Sequence, residues 1–212
     1  MTCLIAKNVS AADVFPVFKT GPIEVVIPTN TPHLLAYSLS EKEGTNLIYR
    51  STGQIFTNAA EGHIQSKAEG FSGSTDRSTP WKVITELLAV NQEGNPEAKT
   101  RALFSSGSQK SLDEIYNKTE IKERFQSMGS SITNMQALMW HQSGEPDGGL
   151  FVYTKYFFRS GRSSVLPLYM VKQGEKYELV SKTMSQNLTN NMQNNIMVFL
   201  QSANTTRRTI SK

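Results

Sequence analysis

The sequence predicts an α+β protein in which helices pack on a curved antiparallel sheet, preceded by a small β-rich N-terminal region. Three patterns support this class: strand-forming runs between turn residues at the start, capped apolar helical spacing in the middle, and four consecutive strand-like runs afterwards. The chain has 212 residues, of which 38% are hydrophobic and 19% charged. A chain of this size can bury a core without disulfide or metal crosslinks.

The N-terminal region combines short apolar runs with turn residues. The run 23–27 is β-branched, and 33–39 with 46–51 predicts a hairpin whose turn contains Gly44. A weaker pattern over 53–71 predicts one further strand.

A polar, glycine- and serine-rich stretch, SGSTDRSTP at 72–80, divides the sequence. Such a stretch is typical of a linker or a long surface loop. We therefore expect a β-rich region over 1–75, an α+β domain with a C-terminal helix over 76–204, and a flexible basic tail over 205–212.

The first helix has a clear start signal. Thr79 can cap it, and Pro80 suits the first helical position, where its missing N–H costs nothing. The residues that then fall on one side of the helix are Trp81, Ile84, Leu87 and Leu88.

Three further helices are expected before residue 130. Asn95 followed by Pro96 predicts a second start, and Ser111 with Glu114 fits a capping box that opens a third helix. A fourth, with Ile121, Phe125 and Met128 at helical spacing, is expected to end at Gly129 as its C-cap.

Four strands and a last helix complete the predicted chain. Pro167 cannot donate to a ladder, so it indicates an edge position, a bulge or a non-bonded site. The last helix depends on docking its apolar stripe because it is rich in asparagine. The strands are 132–141, 150–159, 164–172 and 176–182, and the stripe is Met184, Leu188, Met192, Ile196 and Phe199 or Leu200.

The second of these strands carries bulky residues on both faces. A strand with one buried face alternates apolar with polar residues, so this pattern predicts that both faces are covered. The helices between 80 and 128 are expected on one side; the N-terminal region, the last helix or a second subunit remain open for the other. One face holds Phe151, Tyr153, Lys155 and Phe157, and the other Leu150, Val152, Thr154, Tyr156 and Phe158.

Three segments carry a resemblance to a known superfamily. They are STPWKVITELLAVNQEGNPEAKTRALFSSGSQKSLDEI, ITNMQALMWHQSGEPDGGLFVYTKYFF and VLPLYMVKQGEKYELVS. In order and pattern, residues 78–184 resemble the nuclear-transport-factor-2-like (cystatin-like cone) superfamily. This resemblance implies a sheet curled around helices with a pocket at the open end of the cone. Members include enzymes, binders and dimerisation modules, so the fold alone does not give the function.

Composition excludes several classes of function. The single cysteine, Cys3, excludes an internal disulfide and a cysteine-based zinc site, and three scattered histidines make no transition-metal pattern. The net charge of +4 is concentrated in the tail residues Arg207, Arg208 and Lys212, so no nucleic-acid surface is expected. No apolar run long enough for a membrane span, no leader and no phosphate-binding motif occurs, so we expect a cytoplasmic protein without cofactor or metal.

The candidate site residues are aromatic. His141 is the best single polar candidate, since His33 and His63 have no neighbouring ligand pattern. Tyrosine hydroxyls could supply the polar groups of an otherwise apolar pocket. The residues predicted to line such a pocket, none of them assigned a catalytic role, are Trp140, His141, Tyr153, Tyr156 and Tyr169.

Three hypotheses of function follow. The first is a non-catalytic protein whose aromatic sheet binds a second copy, another protein or a small apolar ligand, because the strands contain almost no carboxylates. The second is a small lyase or isomerase of the same fold that uses His141 with Tyr153 or Tyr156. The third is a component of a larger secretion- or phage-related assembly, with 1–75 as an interaction arm.

Limited proteolysis checks the division of the chain. We expect early cleavage within 72–80, because an exposed polar segment accommodates a protease before a packed element does. Mass spectrometry of the fragments locates the cut. A chain that is cut elsewhere first, or not at all, would contradict the two-region division.

Overall fold

The computed structural model describes residues 18–34, 41–64, 77–143, 148–181 and 193–202, and it confirms the α+β class. Its strands form one antiparallel sheet in the order β1-β3-β5-β6-β7-β8, with β2 paired to β3 and β4 to β5. The strands are β1 Gly21–Pro28, β2 Glu41–Glu43, β3 Asn46–Ile55, β4 His63–Ile64, β5 Ile132–Gln142, β6 Leu150–Phe158, β7 Ser163–Gln173 and β8 Lys176–Leu179.

Four α-helices separate the N-terminal strands from β5, and a fifth follows β8. They are α1 Pro80–Gln92, α2 Glu97–Leu103, α3 Gln109–Tyr116, α4 Thr119–Ser130 and α5 at 193–202, with a short 3-10 helix at Ser106–Ser108 before α3. In the part of the chain that the structure describes, none of these helices has the length and apolar character to cross a membrane.

The start of α1 agrees with its sequence signal. The Thr79 side chain accepts a hydrogen bond from the Lys82 N–H, and Pro80 takes the first helical position. Trp81, Ile84 and Leu88 are all buried. Local capping chemistry and the apolar stripe therefore both place this helix against the sheet.

The end of α1 corrects the predicted start of α2. The Gly94 N–H donates to the Asn91 carbonyl and the Asn95 N–H donates to the Val90 carbonyl, a Schellman arrangement with φ values of 82° at Gly94 and 52° at Asn95. Asn95 therefore terminates α1 and does not cap α2, whose N-cap is Pro96.

The predicted boundaries of α3 and α4 were also wrong. The helix α3 begins at Gln109, so Ser111 lies inside it and does not cap it. Gly129 lies within α4, which continues to Ser130. A Cβ at Gly129 would collide with the Asn95 side-chain amide and crowd the Asn91 carbonyl, so this glycine permits the close approach of α1 and α4.

Strand β6 is buried on both faces over most of its length, which confirms the expectation from its side-chain pattern. The helical-side core includes Trp81, Ile84, Leu88, Met135, Trp140, Leu150, Val152, Tyr156 and Met170. The aromatic-side core includes Val25, Ile27, Leu47, Tyr49, Leu138, Met139, Phe151, Tyr153, Val165, Tyr169, Val171 and Ile196. Of the predicted covers for the second face, the N-terminal region and the last helix are both observed there, as the β1–β3 strand pair and α5.

A bulge in β5 decides which side chains reach each core. Ala137 pairs with Thr154, but Met139 pairs with Tyr153, so Leu138 is an extra residue in the ladder. Side chains alternate between the faces of a strand, and one inserted residue exchanges the faces of everything that follows. Trp140 consequently lies on the helical side and the next residue, His141, on the aromatic side.

The outer edge of β1 offers few hydrogen-bond donors. Thr29 donates to Thr45 across the β1–β3 pair, so the alternate residues Pro28, Val26, Glu24 and Pro22 direct their backbone groups away from β3. Two of these four are prolines, which have no N–H. Only Glu24 and Val26 remain as outward donors on this edge.

The opposite edge of the sheet is covered by the chain itself. Ser105 N–H donates to the Leu179 carbonyl of β8 at 2.8 Å. Beyond the end of β8, the side chain of Gln201 in α5 accepts from Val165 N–H at 2.7 Å and donates to the Ser163 carbonyl at 3.5 Å. Pro167 lies in this same stretch of β7, which has no β8 partner, so the predicted edge position is confirmed.

Strands from both sides of the predicted 72–80 boundary share this one sheet, because β3 and β4 both pair with β5. Whether 1–75 folds by itself stays a prediction. The chain turns at Gly44 as expected, but the strand before the turn is Glu41–Glu43 and not 33–39, of which 35–39 lie outside the described residues. The structure does not describe the ranges 1–17, 35–40, 65–76, 144–147, 182–192 and 203–212. The predicted tail 205–212, the stripe residues Met184, Leu188 and Met192, and the first part of the 72–80 stretch therefore lie outside the described residues.

Replacement of Gly129 by Ala tests the contact between α1 and α4. Alanine in an unobstructed helix would stabilise the protein, but here the added methyl group meets Asn95 and Asn91. We expect a loss of about 1–3 kcal/mol in the free energy of unfolding, measured by urea denaturation.

Gly107→Ala is the matched control, since nothing lies within 4 Å of a Cβ built there. Its free energy of unfolding should change by less than about 0.5 kcal/mol. Equal effects at both glycines would contradict the proposed crowding at Gly129.

Candidate functional site

The five predicted site residues do not form one site. Trp140 and Tyr156 belong to the helical-side core, whereas Tyr153 and Tyr169 belong to the aromatic-side core, where His141 stacks on Tyr153. The β5 bulge and the alternation of β6 separate these groups. The aromatic side therefore holds three of the five candidates, and these lie close to one another.

His141 is a buried core residue with both ring nitrogens engaged. Its exposed fraction is 1%, and its ring stacks on those of Phe151 and Tyr153 at centroid distances of 5.5 and 5.7 Å. Nδ1 lies 2.7 Å from the Gln142 carbonyl oxygen, and Nε2 lies 3.3 Å from the Tyr153 hydroxyl.

These contacts assign one tautomer to His141. A carbonyl oxygen only accepts, so Nδ1 carries the proton and donates to Gln142. Nε2 of the neutral ring then accepts from the Tyr153 hydroxyl. Burial lowers the pKa of His141, and the bond to Gln142 opposes this only in part. The neutral imidazole is therefore the form that the fold stabilises.

The tyrosines continue this polar path toward α5. Burial, and secondarily the charge of a nearby Tyr49 phenolate, raises the pKa of Tyr153 well above its usual value. The Tyr49 hydroxyl accepts a hydrogen bond of 3.1 Å from the side-chain amide of Asn195. The imidazole on β5, the phenols on β6 and β3 and the Asn195 amide on α5 thus all lie on this side of the sheet.

Tyr169 closes the other end of the cluster. Its ring packs on Phe151 with a centroid distance of 4.6 Å, and its hydroxyl lies 3.4 Å from the Ser143 hydroxyl. A Cβ at Gly149 would overlap this ring, so the glycine before β6 makes room for it. Both tyrosine hydroxyls therefore meet protein groups inside the core.

Trp140 and Tyr156 have different surroundings on the helical side. Trp140 stacks on Phe18 at 4.3 Å, and its indole N–H donates to the Gln54 side chain at 3.4 Å. Tyr156 is fully enclosed, and burial raises its pKa above the usual range. These two residues act as core and contribute nothing to the His141 cluster.

The chemistry available on the aromatic side is limited. Among the described residues no Asp or Glu is buried, and no group of three metal-ligating side chains occurs. A hollow of about 480 Å³ lies elsewhere, on α4 and its C-terminal end, lined by Glu123, Arg124, Ser127, Met128 and Ser131. None of the described residues that line this hollow belongs to the His141 cluster.

Sequence reasoning missed three residues of the cluster. Tyr49, Asn195 and Gly149 all contact the predicted residues or their partners. Gly149 carried a usable signal, since a glycine next to an aromatic strand often marks close packing. Tyr49 and Asn195 are 146 residues apart, and no local pattern links them.

Comparison with known proteins gives no family for this chain. No protein-family model, curated protein or solved structure matches it.

Replacement of Tyr153 by Phe tests the central hydrogen bond. The change keeps the ring but leaves His141 Nε2 buried without its donor. We expect a loss of about 1–3 kcal/mol in the free energy of unfolding at neutral pH, measured by urea denaturation.

Tyr177→Phe provides the comparison, because the Tyr177 ring is half-buried and its contact with the Lys172 ammonium needs only the ring face. Its free energy of unfolding should stay within about 0.5 kcal/mol of the wild-type value. If Tyr153→Phe also leaves the free energy of unfolding unchanged, the hydrogen bond to His141 contributes no stability.

Proposed function

We propose that this protein works by binding another protein through a helix-binding groove on the aromatic side of its sheet, without catalysis. In the single chain, α5 at 193–202 occupies that groove. The observation that supports the proposal is the nature of the contact: a weak helix covers a strongly aromatic face.

The groove fits an amphipathic helix with polar groups at two places. Ile196, with an exposed fraction of 1%, is the apolar anchor. The Asn195 amide donates to Tyr49, and the Gln201 side chain satisfies the free edge of β7. An apolar residue flanked by amides at this spacing is what the groove recognises.

The helix α5 depends on this docking for its existence. Its described part, QNNIMVFLQS, includes two asparagines, which are poor helix formers. In proteins most helical stability comes from packing of an apolar face rather than from propensity. Helix formation and docking are therefore coupled, and an undocked α5 loses its helical structure.

The partner we propose is a second copy of the chain. Its α5 has the chemistry that the groove already accepts, so two molecules that exchange this helix would form the same contacts in a dimer. The charge of this segment also favours exchange: no ionisable residue occurs within 193–202, so exchange places no charge against the tyrosines. A helix from a different protein is the alternative that the experiment below distinguishes.

The wider assignment remains part of this proposal. We propose a cone-like member of the nuclear-transport-factor-2-like superfamily that acts in the cytoplasm, supported by the resemblance of 78–184 and by an antiparallel sheet packed on helices. The lyase or isomerase hypothesis retains one favourable contact, the His141–Tyr153 hydrogen bond. The described contacts of His141 include no carboxylate that would complete it.

A peptide supplied in trans tests the groove. In the full chain, Ile196→Asp would put a charge at a buried position and undock α5. A labelled peptide of residues 191–203 should then bind this variant at least about tenfold more tightly than it binds the wild type, since burial of one isoleucine contributes about 1.5–3 kcal/mol. Fluorescence anisotropy measures the binding.

Val198→Asp serves as the matched control, because Val198 is not among the residues packed on the aromatic-side core. It should bind the peptide as weakly as the wild type does. If the Ile196→Asp protein is folded but does not bind the peptide, the proposed helix-binding groove is excluded. Light scattering then tests whether two copies exchange α5. If the variant binds the peptide but the wild-type protein stays monomeric at all concentrations, the partner is a helix from a different protein and not a second copy.

A further inference from the structure

We infer that acid releases α5 from the aromatic side of the sheet, with His141 as the group that takes up the proton. The inference concerns how the groove opens, so it holds whether or not a second copy then occupies it. It rests on where His141 lies, on what surrounds it and on the contacts that link it to α5.

The geometry leaves the imidazole no way to become charged without rearrangement. Nδ1 already donates to the Gln142 carbonyl, and Nε2 accepts from the Tyr153 hydroxyl. A proton added at Nε2 turns it from acceptor to donor, so the Tyr153 hydroxyl has to turn away. Tyr153 packs in the same core as Ile196 and lies near Tyr49, which holds Asn195 of α5.

The described contacts of the His141 ring include no carboxylate: they are the Phe151 ring, the Tyr153 phenol and the Gln142 carbonyl. Lys155 lies further along β6, and its ammonium is over the Phe157 ring. The phenols of Tyr49 on β3 and Tyr169 on β7 belong to the same core, and residues 193–202 of α5 include no ionisable side chain. Among these described groups, an imidazolium would be buried against neutral partners.

The direction of the pH effect follows from burial. The folded state lowers the pKa of His141 below 6.5, so a state in which the ring is hydrated binds the proton more readily. The closed arrangement is therefore fully stable above pH 6.5 and loses stability as the pH falls below it. Each pH unit in that window shifts the ratio of open to closed molecules by up to about tenfold, until the pKa of the closed state is reached.

Hydrogen exchange on the full chain tests this device. The protection of α5 amides, corrected for the intrinsic effect of pH on exchange, should fall by up to about tenfold between pH 6.5 and 5.5. The amides of α1, which pack on the other face, should keep their protection. Equal loss in both helices would indicate global unfolding and would overturn the inference.

Two histidine variants assign the response. His141→Gln should abolish the pH dependence of α5 protection. His63→Gln is the matched control, because His63 contacts Asn134 and not the aromatic-side core, so it should respond as the wild type does. A His141→Gln protein that still responds, or a wild type with constant protection, contradicts the inference.

Should His141→Gln fail to fold, proton NMR of the wild type decides. The ring signals of His141 and the amide signals of α5 should titrate with one shared midpoint below pH 6.5, and separate midpoints would refute the link. Failure here is distinguishable from failure of the proposed function, because peptide binding by Ile196→Asp at neutral pH does not involve protonation of His141.

Discussion

The burial of β6 on both faces is the constraint on which the rest of the structure depends. A strand with bulky side chains in both directions cannot face water on either side, so two separate layers have to cover it. The helices α1 and α2 form one cover; the β1–β3 strand pair and α5 form the other. Segments from the N-terminal and C-terminal regions are thereby tied to the same strand.

The side on which His141 lies depends on a single inserted residue. If β5 ran without the bulge at Leu138, the alternation that places Met135 on the helical side would place His141 there too. Because of the extra residue, the imidazole lies on the same side of the sheet as Tyr153 and Tyr169, and Trp140 lies on the side of α1. One local irregularity therefore creates the polar cluster inside an otherwise apolar core, and a polar group enclosed in that way is sensitive to protonation.

Structural features that depend on residues close together along the chain could be predicted from the sequence. The cap at Thr79, the four strands after Ile132 and the two covered faces of β6 all follow from local chemistry or periodicity. The errors have a common origin in contacts between distant segments. From the sequence, Gly129 resembles a helix C-cap; its close contact with the Asn95 side chain is visible only in the structure. Likewise, Tyr156 and Tyr153 belong to different sites only because different segments cover the two faces of β6. The partners Tyr49 and Asn195 required the tertiary fold itself.

The two prolines of β1 limit how this molecule can associate. A strand laid against the outer edge of β1 would find donors only at Glu24 and Val26, too few for a continuous ladder. The far edge is already occupied by Ser105 and Gln201. Growth of the sheet from molecule to molecule, the route to filaments, is disfavoured at both ends. Reciprocal exchange of α5 between two copies, as proposed above, would close on itself and would not use either edge of the sheet. Such a partner would be gained without extension of the sheet from molecule to molecule.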